Sequence, residues 1–101
     1  MKYFTVLSTF NDPLPVDGEG LQEVLQDHHA FMQKGFDEGW ALFSGPKTAG
    51  GGGTLVMKAE SLEAVEALFA QDPMRLAGVQ EYEITEFKLH DCQPEVRRWF
   101  E

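Results

Sequence analysis

The chain is poor in cysteine, in basic residues and in long apolar runs. Its single cysteine, Cys92, has no internal disulfide partner, so we expect a reducing compartment, the cytoplasm. Apolar runs do not exceed four residues, as at 40–43, whereas a membrane-spanning helix needs about 20. Lysine and arginine total 8 against 17 acidic residues, which gives a net charge of −9. With no basic stripe, we expect binding neither to nucleic acid nor to a membrane.

Sequence motifs of several common enzyme classes are also missing. No Gly-x-Gly-x-x-Gly occurs, which excludes a dinucleotide site of that type, and no Gly-x-Ser-x-Gly indicates a serine hydrolase. The glycine run at 50–53 lacks the lysine of a phosphate-binding loop and opens no helix. We therefore interpret that run as a hairpin loop.

The chain instead alternates between two hydrophobic periods. Apolar residues recur at helical spacing from 21 to 36 and again over 62–69. Four segments rich in aromatic, aliphatic or β-branched residues are predicted to be strands: 2–9, 40–44, 54–58 and 79–89. The order β-α-β-β-α-β predicts an α+β, ferredoxin-like fold with a four-stranded antiparallel sheet and two helices on one face.

The other face of the predicted sheet needs a partner. Two helices cover only one face, and the strands carry apolar residues on both, so we expect a homodimer with sheets packed face to face. Residues 1–90 form the predicted domain, and 91–101 form a tail with a short helix from Pro94. Trp99 and Phe100 are apolar enough to dock, with the partner subunit as one candidate surface.

His28 is the residue that most suggests chemistry. It lies in the apolar stripe of the first helix, four residues from both Val24 and Met32. A histidine there is either a core residue with one satisfied hydrogen bond or a general acid or base. His29 lies about 100° further round the helix, at an exposed position or a pocket rim. Because the two imidazoles point apart, they do not suit a metal, and we expect neither metal nor cofactor.

Two further segments admit both a structural and a functional interpretation. Asp72 precedes Pro73 and suits a helix cap, but a carboxylate can also orient an imidazole and raise its basicity. Residues 44–46, Ser-Gly-Pro, end a predicted strand. They form either a simple strand exit or the mouth of a pocket that offers a hydroxyl and open backbone amides.

Three short segments occur in an order and spacing that resembles a known family. They are Asp27-His28-His29-Ala30-Phe31-Met32, then Leu42-Phe43-Ser44-Gly45-Pro46, then Ala70-Gln71-Asp72-Pro73-Met74 running on to Tyr82-Glu83-Ile84. The pattern resembles the YCII (YciI-like) family over residues 1–90. This resemblance implies a dimeric α/β barrel of ferredoxin-like protomers and a pocket holding a His28–Asp72 pair. Some similar proteins are dehydrochlorinases of chlorinated hydroquinones, and the fold is similar to that of muconolactone isomerase.

The chain departs from the family pattern at three positions. Leu25 stands where many members have an arginine, so an anionic substrate is not favoured. His29 replaces a usually apolar residue, and Met74 replaces one that is often aromatic. We therefore expect a more apolar pocket. Its predicted substrate-binding residues are Ser44, Gly45, Pro46 and Met74.

Together these features favour a cofactor-free enzyme. Asp72 is expected to hold His28 in one tautomer while His28 moves a proton on a small cyclic or aromatic molecule. Lyase, isomerase and dehydrochlorinase reactions all fit this chemistry. One alternative is a small-molecule binding or regulatory module in which the pair is only a structural hydrogen bond. Another is a structural dimerisation domain, which predicts no ligand-sized pocket.

Overall fold

Four antiparallel strands form one sheet in the computed structural model, which describes residues 1–101. The strands are β1 (Lys2–Phe10), β2 (Ala41–Pro46), β3 (Gly53–Ala59) and β4 (Gln80–Phe87), in the spatial order β2-β3-β1-β4. Strand β4 lies at an edge and pairs with β1 in an unbroken register. The only register shift lies in β2, between Ala41 and Phe43.

Helices α1 (Gly18–Glu38) and α2 (Leu62–Phe69) cover one face of this sheet, so the ferredoxin-like prediction is confirmed. Helix α1 ends at Gly39, whose φ of 86° is a left-handed conformation that favours glycine. Helix α2 begins after Ser61, whose hydroxyl accepts the Ala64 N–H. A single turn, α3 (Pro73–Leu76), follows α2 and leads into β4.

The hydrophobic core lies between the two helices and the even-numbered side of β1. Side chains alternate along a strand, so Phe4 and Val6 face the helices while Tyr3 and Leu7 face away. The buried core cluster is Phe4, Val6, Ala41, Leu55, Met57, Val65 and Phe69. Burying these side chains supplies the main driving force for the fold.

The C-terminal tail docks on the opposite face of the same chain. It forms α4 (Pro94–Arg97) and a 3-10 turn (Arg98–Phe100). The Trp99 indole N–H donates to the Gly39 carbonyl at 2.9 Å, and the Lys58 ammonium lies 4.6 Å from the Trp99 ring centroid. Tyr3 packs edge-on against Phe100, with ring centroids 4.8 Å apart. The expectation that Trp99 and Phe100 dock is therefore confirmed, and the surface that they cover is one end of their own sheet.

The rest of that face is open. Phe43 and Leu7 are 56% and 38% exposed there. The strand register pairs Phe43 with Val56 and Leu7 with Thr54, on the side away from the helices. None of the helices combines the length and apolar character needed to cross a membrane.

Substituting Gly35 in α1 is expected to destabilise the protein, although alanine is the better helix former. A Cβ atom at Gly35 would lie 2.5 Å from the Trp40 ring, which packs against Phe31 and Phe69 and has little room to move. We expect Gly35→Ala to lower the free energy of unfolding by about 1–3 kcal/mol. At Gly20, where the nearest atom is 3.9 Å away, alanine should raise it by up to about 1 kcal/mol. Urea denaturation of both variants measures the difference, and equal stabilities would contradict it.

Candidate active site

The structure brings His28 and Asp72 into direct contact. His28 Nδ1 lies 2.9 Å from Asp72 Oδ1 and 3.0 Å from Oδ2, although 44 positions separate the two residues. The Asp72 side chain is fully buried, while that of His28 is 20% exposed. Helix α1 supplies the imidazole, and the turn before α3 supplies the carboxylate.

Asp72 combines the two roles that the sequence left open. Its Oδ1 accepts the Met74 backbone N–H at 2.9 Å, which is an N-cap of α3. The same carboxylate bonds the His28 ring. Pro73 occupies the first position of α3, where its missing N–H costs nothing. The cap therefore fixes the carboxylate in the orientation that meets His28.

Tyr82 and Gln80 extend the pair into a partly buried chain of hydrogen bonds. The Tyr82 hydroxyl donates to Asp72 Oδ2 at 2.5 Å, and it accepts from Gln80 Nε2 at 3.0 Å. Both residues come from β4, two positions apart, so they project from the same face of the sheet. No buried side-chain nitrogen or oxygen in the protein lacks a partner. The buried polar atoms of the network are therefore all paired, as the low dielectric constant of a protein interior requires.

Burial and the hydrogen bond to Asp72 raise the pKa of Tyr82 well above its ordinary value of 10.0. The unfolded chain therefore releases this proton at a lower pH than the folded protein does. Its contribution to stability is complete below pH 10 and is lost as the pH rises beyond it.

An alkaline denaturation series tests this linkage. In wild-type protein, the free energy of unfolding should fall as the pH rises above 10. The Tyr82 proton alone contributes a slope of up to about 1.4 kcal/mol per pH unit. Tyr82→Phe lacks the proton, so its stability should decline less steeply over the same range. Urea denaturation between pH 8 and 11 gives both slopes, and equal slopes would contradict the raised pKa.

His28 lies at the wall of a cavity of about 430 Å³ between the helices and the sheet. That volume is within the usual range for small-molecule sites. Its apolar lining includes Val6, Leu55 and Phe69. The hypothesis of a purely structural dimerisation domain predicts no ligand-sized cavity, so this cavity argues against that hypothesis.

The residues predicted to bind substrate all line this cavity. Ser44, Gly45, Pro46 and Met74 do so together with His28 and His29. The two imidazole centroids are 6.0 Å apart. Leu25, at the position where many family members carry arginine, is a lining residue too. The structure therefore brings the predicted site residues together, with Asp72 directly behind His28; their roles stay predictions.

Sequence reasoning missed Tyr82, Gln80 and Ser8. Ser8 lines the cavity, and its Oγ accepts the Gly53 N–H at 2.8 Å. Gly52, in the glycine run, lies against β1 so closely that a Cβ atom would fall 1.9 Å from the Ser8 carbonyl oxygen. The run is thus a packed cavity wall as well as a loop. A polar residue at the inward-facing position 80 of the last strand was the available signal. To interpret it, one must first know which strands lie beside that strand.

The geometry determines which His28 nitrogen is available for chemistry. An ionised carboxylate only accepts hydrogen bonds, so Nδ1 carries the proton and donates it to Asp72. Nε2 is then the lone-pair nitrogen, and it has no partner within the protein. The arrangement can accept a proton at Nε2 and stabilise the resulting imidazolium through Asp72. No group of three or more His, Cys, Asp or Glu side chains is arranged to hold a metal ion.

Comparisons with known proteins agree with this architecture. Muconolactone isomerase matches with a TM-score of 0.75 and 18% identity, over 91% of this chain and 94% of that one. The dehydrochlorinase of 5-chloro-2-hydroxyhydroquinone from Burkholderia phenoliruptrix AC1100, in complex with 2,5-dihydroxybenzoquinone, matches with a TM-score of 0.64 and 18% identity. That match covers 85% of this chain and 93% of the other. At such identity, the likeness shows a shared fold.

A family model gives the closer assignment. No curated protein sequence matches the chain. The model of the YCII-related domain matches residues 1–88, which is most of the 101-residue sequence. The chain therefore belongs to the YCII-related family.

Proposed function

We propose that this protein is a cofactor-free enzyme in which His28 transfers a proton on a small cyclic or aromatic molecule. The observation that carries the proposal is the 2.9 Å contact between His28 Nδ1 and the fully buried Asp72 at the wall of the cavity. A histidine held in one tautomer by a carboxylate is a general base at neutral pH. The similar folds of an isomerase and a dehydrochlorinase support an enzyme-like role of this kind.

The proposed step begins with a neutral His28. Nε2 takes a proton from an acidic C–H or O–H of the substrate, and the electron pair of the broken bond stays on the substrate as an enolate or phenolate. The imidazolium is stabilised by Asp72, which keeps its charge throughout. Returning the proton to another atom completes an isomerisation. If the electron pair instead expels chloride, His28 passes its proton to water and the net loss is HCl.

The lining of the cavity favours a substrate that enters uncharged. Leu25 offers no cation, and no lysine or arginine lines the cavity. A carboxylate or phosphate entering it would lose hydration with no lysine or arginine there to pair with it. The apolar floor around Leu55, Phe69 and Met74 instead suits a ring. Negative charge then arises only in the reaction, beside the imidazolium that balances it.

A proton-exchange screen tests the function. Wild-type protein and Asp72→Asn are incubated in D2O with neutral ring compounds: cyclic diones, unsaturated lactones, hydroquinones and chlorinated hydroquinones. Wild-type protein should speed exchange of a ring C–H, or release of chloride, for at least one class. Asp72→Asn should lose at least about 100-fold of that rate, because the asparagine amide can donate to Nδ1 and impose the wrong tautomer.

The same screen distinguishes a binding module from an enzyme. A compound that perturbs the NMR signals of His28 and Met74 occupies the cavity. If every such compound exchanges no faster than in buffer, the protein binds small molecules without catalysis. Equal exchange rates for wild-type protein and Asp72→Asn would also contradict the proposed base.

We also propose a homodimer through the open face of the sheet. Phe43 and Leu7 are exposed there, and the docked tail leaves them uncovered. A second copy would bury these side chains, sheet against sheet. Light scattering should then give twice the chain mass of 11.4 kDa, whereas a single chain mass at micromolar concentration would contradict the dimer.

The proposed location is the cytoplasm. The support for it is the single cysteine, Cys92, which has no partner for an internal disulfide. Fractionation of the native host tests this proposal, and recovery of the protein outside the cytoplasm would contradict it.

A further inference from the structure

We propose that Tyr82 is a positioning residue that sets how strongly Asp72 attracts the proton of His28, with Gln80 orienting the Tyr82 hydroxyl. This inference rests on the proposed function, because it concerns the same His28–Asp72 pair. Tyr82 acts through Asp72, so it influences the reaction without being its base.

The argument begins with the hydrogen bonds that Asp72 accepts. Oδ1 accepts from the Met74 N–H at 2.9 Å, and Oδ2 accepts from the Tyr82 hydroxyl at 2.5 Å. His28 Nδ1 lies within 3.0 Å of both oxygens. Since Asp72 is fully buried, its charge is balanced by these three donors and not by bulk water. Each donor therefore takes a share of the carboxylate's charge from the other two.

The direction of the Tyr82 hydroxyl follows from its two neighbours. An ionised carboxylate has no proton to give, so the Tyr82 O–H must donate to Asp72. The Tyr82 oxygen is then the acceptor for Gln80 Nε2 at 3.0 Å. Gln80 is only 3% exposed, and its position on β4 opposite Phe10 holds it beside Tyr82. A donor bonded in this way is a stronger hydrogen-bond donor in turn, because successive hydrogen bonds polarise one another.

The surroundings leave Tyr82 as the group best placed to adjust this carboxylate. On α1, the neighbouring titratable ring is that of His29, with its centroid 6.0 Å from that of His28. From α3 and β4, Arg75 and Glu81 carry charges on exposed side chains, which pair with each other at 3.9 Å. No lysine or arginine lines the cavity. Apart from the backbone N–H of Met74, the hydrogen bond from Tyr82 is thus the contact that can weaken the interaction of Asp72 with the imidazolium.

Removing that hydroxyl should therefore strengthen the His28–Asp72 interaction. With only Met74 and His28 left as donors, the carboxylate presents more charge to the ring and favours its protonated form. We expect the midpoint of His28 protonation to rise in Tyr82→Phe by about 0.5–1 pH unit relative to wild-type protein. The phenylalanine keeps the ring packing against Phe69, whose centroid lies 5.1 Å from that of Tyr82, so this variant should fold.

The experiment is an NMR titration of the histidine side chains from pH 4 to 10. Tyr3→Phe is the matched control, because Tyr3 also donates one hydrogen bond, at 2.5 Å to the Phe100 carbonyl, on the other face of the sheet. It should leave the His28 midpoint unchanged. Gln80→Met is a second variant, which keeps the Tyr82 hydroxyl but removes its support. It should raise the midpoint by less than Tyr82→Phe does.

The outcomes separate this inference from the function on which it rests. An unchanged or lowered His28 midpoint in folded Tyr82→Phe overturns the role of Tyr82, as does an equal shift in Tyr3→Phe. Asp72→Asn is titrated alongside them. If Asp72→Asn shifts the His28 midpoint and Tyr82→Phe does not, only the role of Tyr82 fails. If neither variant shifts it, the His28–Asp72 pair is uncoupled and the proposed function fails too.

Discussion

Replacing His28 with glutamine is expected to lower the proton-transfer rate by about 10²–10⁴-fold, the usual contribution of a positioned general base. Glutamine can still donate an amide N–H toward Asp72, so the buried carboxylate keeps a hydrogen-bond donor. It has no nitrogen lone pair that accepts a proton at neutral pH. The loss should therefore appear in turnover and not in folding.

His90→Gln is the matched control for this substitution. His90 follows β4, is exposed and does not line the cavity. Its replacement should leave both turnover and melting temperature close to those of wild-type protein. Rates are measured with a ring compound identified by the exchange screen. If His28→Gln retains the wild-type rate, the catalytic base lies elsewhere.

Replacing Asp72 with alanine is expected to produce the largest loss of stability. The change removes the cap of α3 and leaves three donors without their acceptor: the Met74 N–H, the Tyr82 hydroxyl and His28 Nδ1. A buried donor left without an acceptor destabilises the fold by about 1–3 kcal/mol, and this cost is smaller where water can enter and accept the hydrogen bond. We expect the free energy of unfolding to fall by about 3 kcal/mol or more, as when one partner of a buried pair is removed.

A control at Asp91 isolates the effect of burial. Asp91 also accepts hydrogen bonds, from the Cys92 N–H and from Arg97, but its side chain is 71% exposed. Asp91→Ala should change stability by no more than about 0.5 kcal/mol. In a domain of this size, about 3 kcal/mol lowers the melting temperature by more than about 10 °C. Calorimetry at one protein concentration compares the variants, and similar melting temperatures for both would contradict a structural role for Asp72.

Element boundaries could be predicted where burial leaves a pattern in the sequence. The helical spacing predicted over 62–69 coincides with α2, Leu62–Phe69. The start of α1 was expected at Leu21 but lies at Gly18, because its first turn is exposed and shows no apolar period. Strand β2 was expected to end at residue 44 but reaches Pro46, which pairs with Gly53. That extension depends on a partner strand, which local composition does not specify.

The candidate site shows the same division between local and long-range information. The position of His28 in an apolar stripe marked it as a candidate, and the cap before Pro73 placed Asp72 at a helix start. Family resemblance then paired the two residues. Tyr82 was not predicted as a site residue, because its role depends on which strand lies next to Asp72. The position of that strand follows from the strand order of the sheet.

By itself, the sequence determined the two hydrophobic periods, the order of the elements and the residue types able to move a proton. These properties are local, because each depends on side chains within a few positions of one another. Only the tertiary structure decided that residues 44 positions apart meet at 2.9 Å, that Tyr82 and Gln80 support them from β4, and that the tail covers its own sheet. Such contacts follow from strand register and helix packing, which arise when the whole chain buries its apolar surface at once.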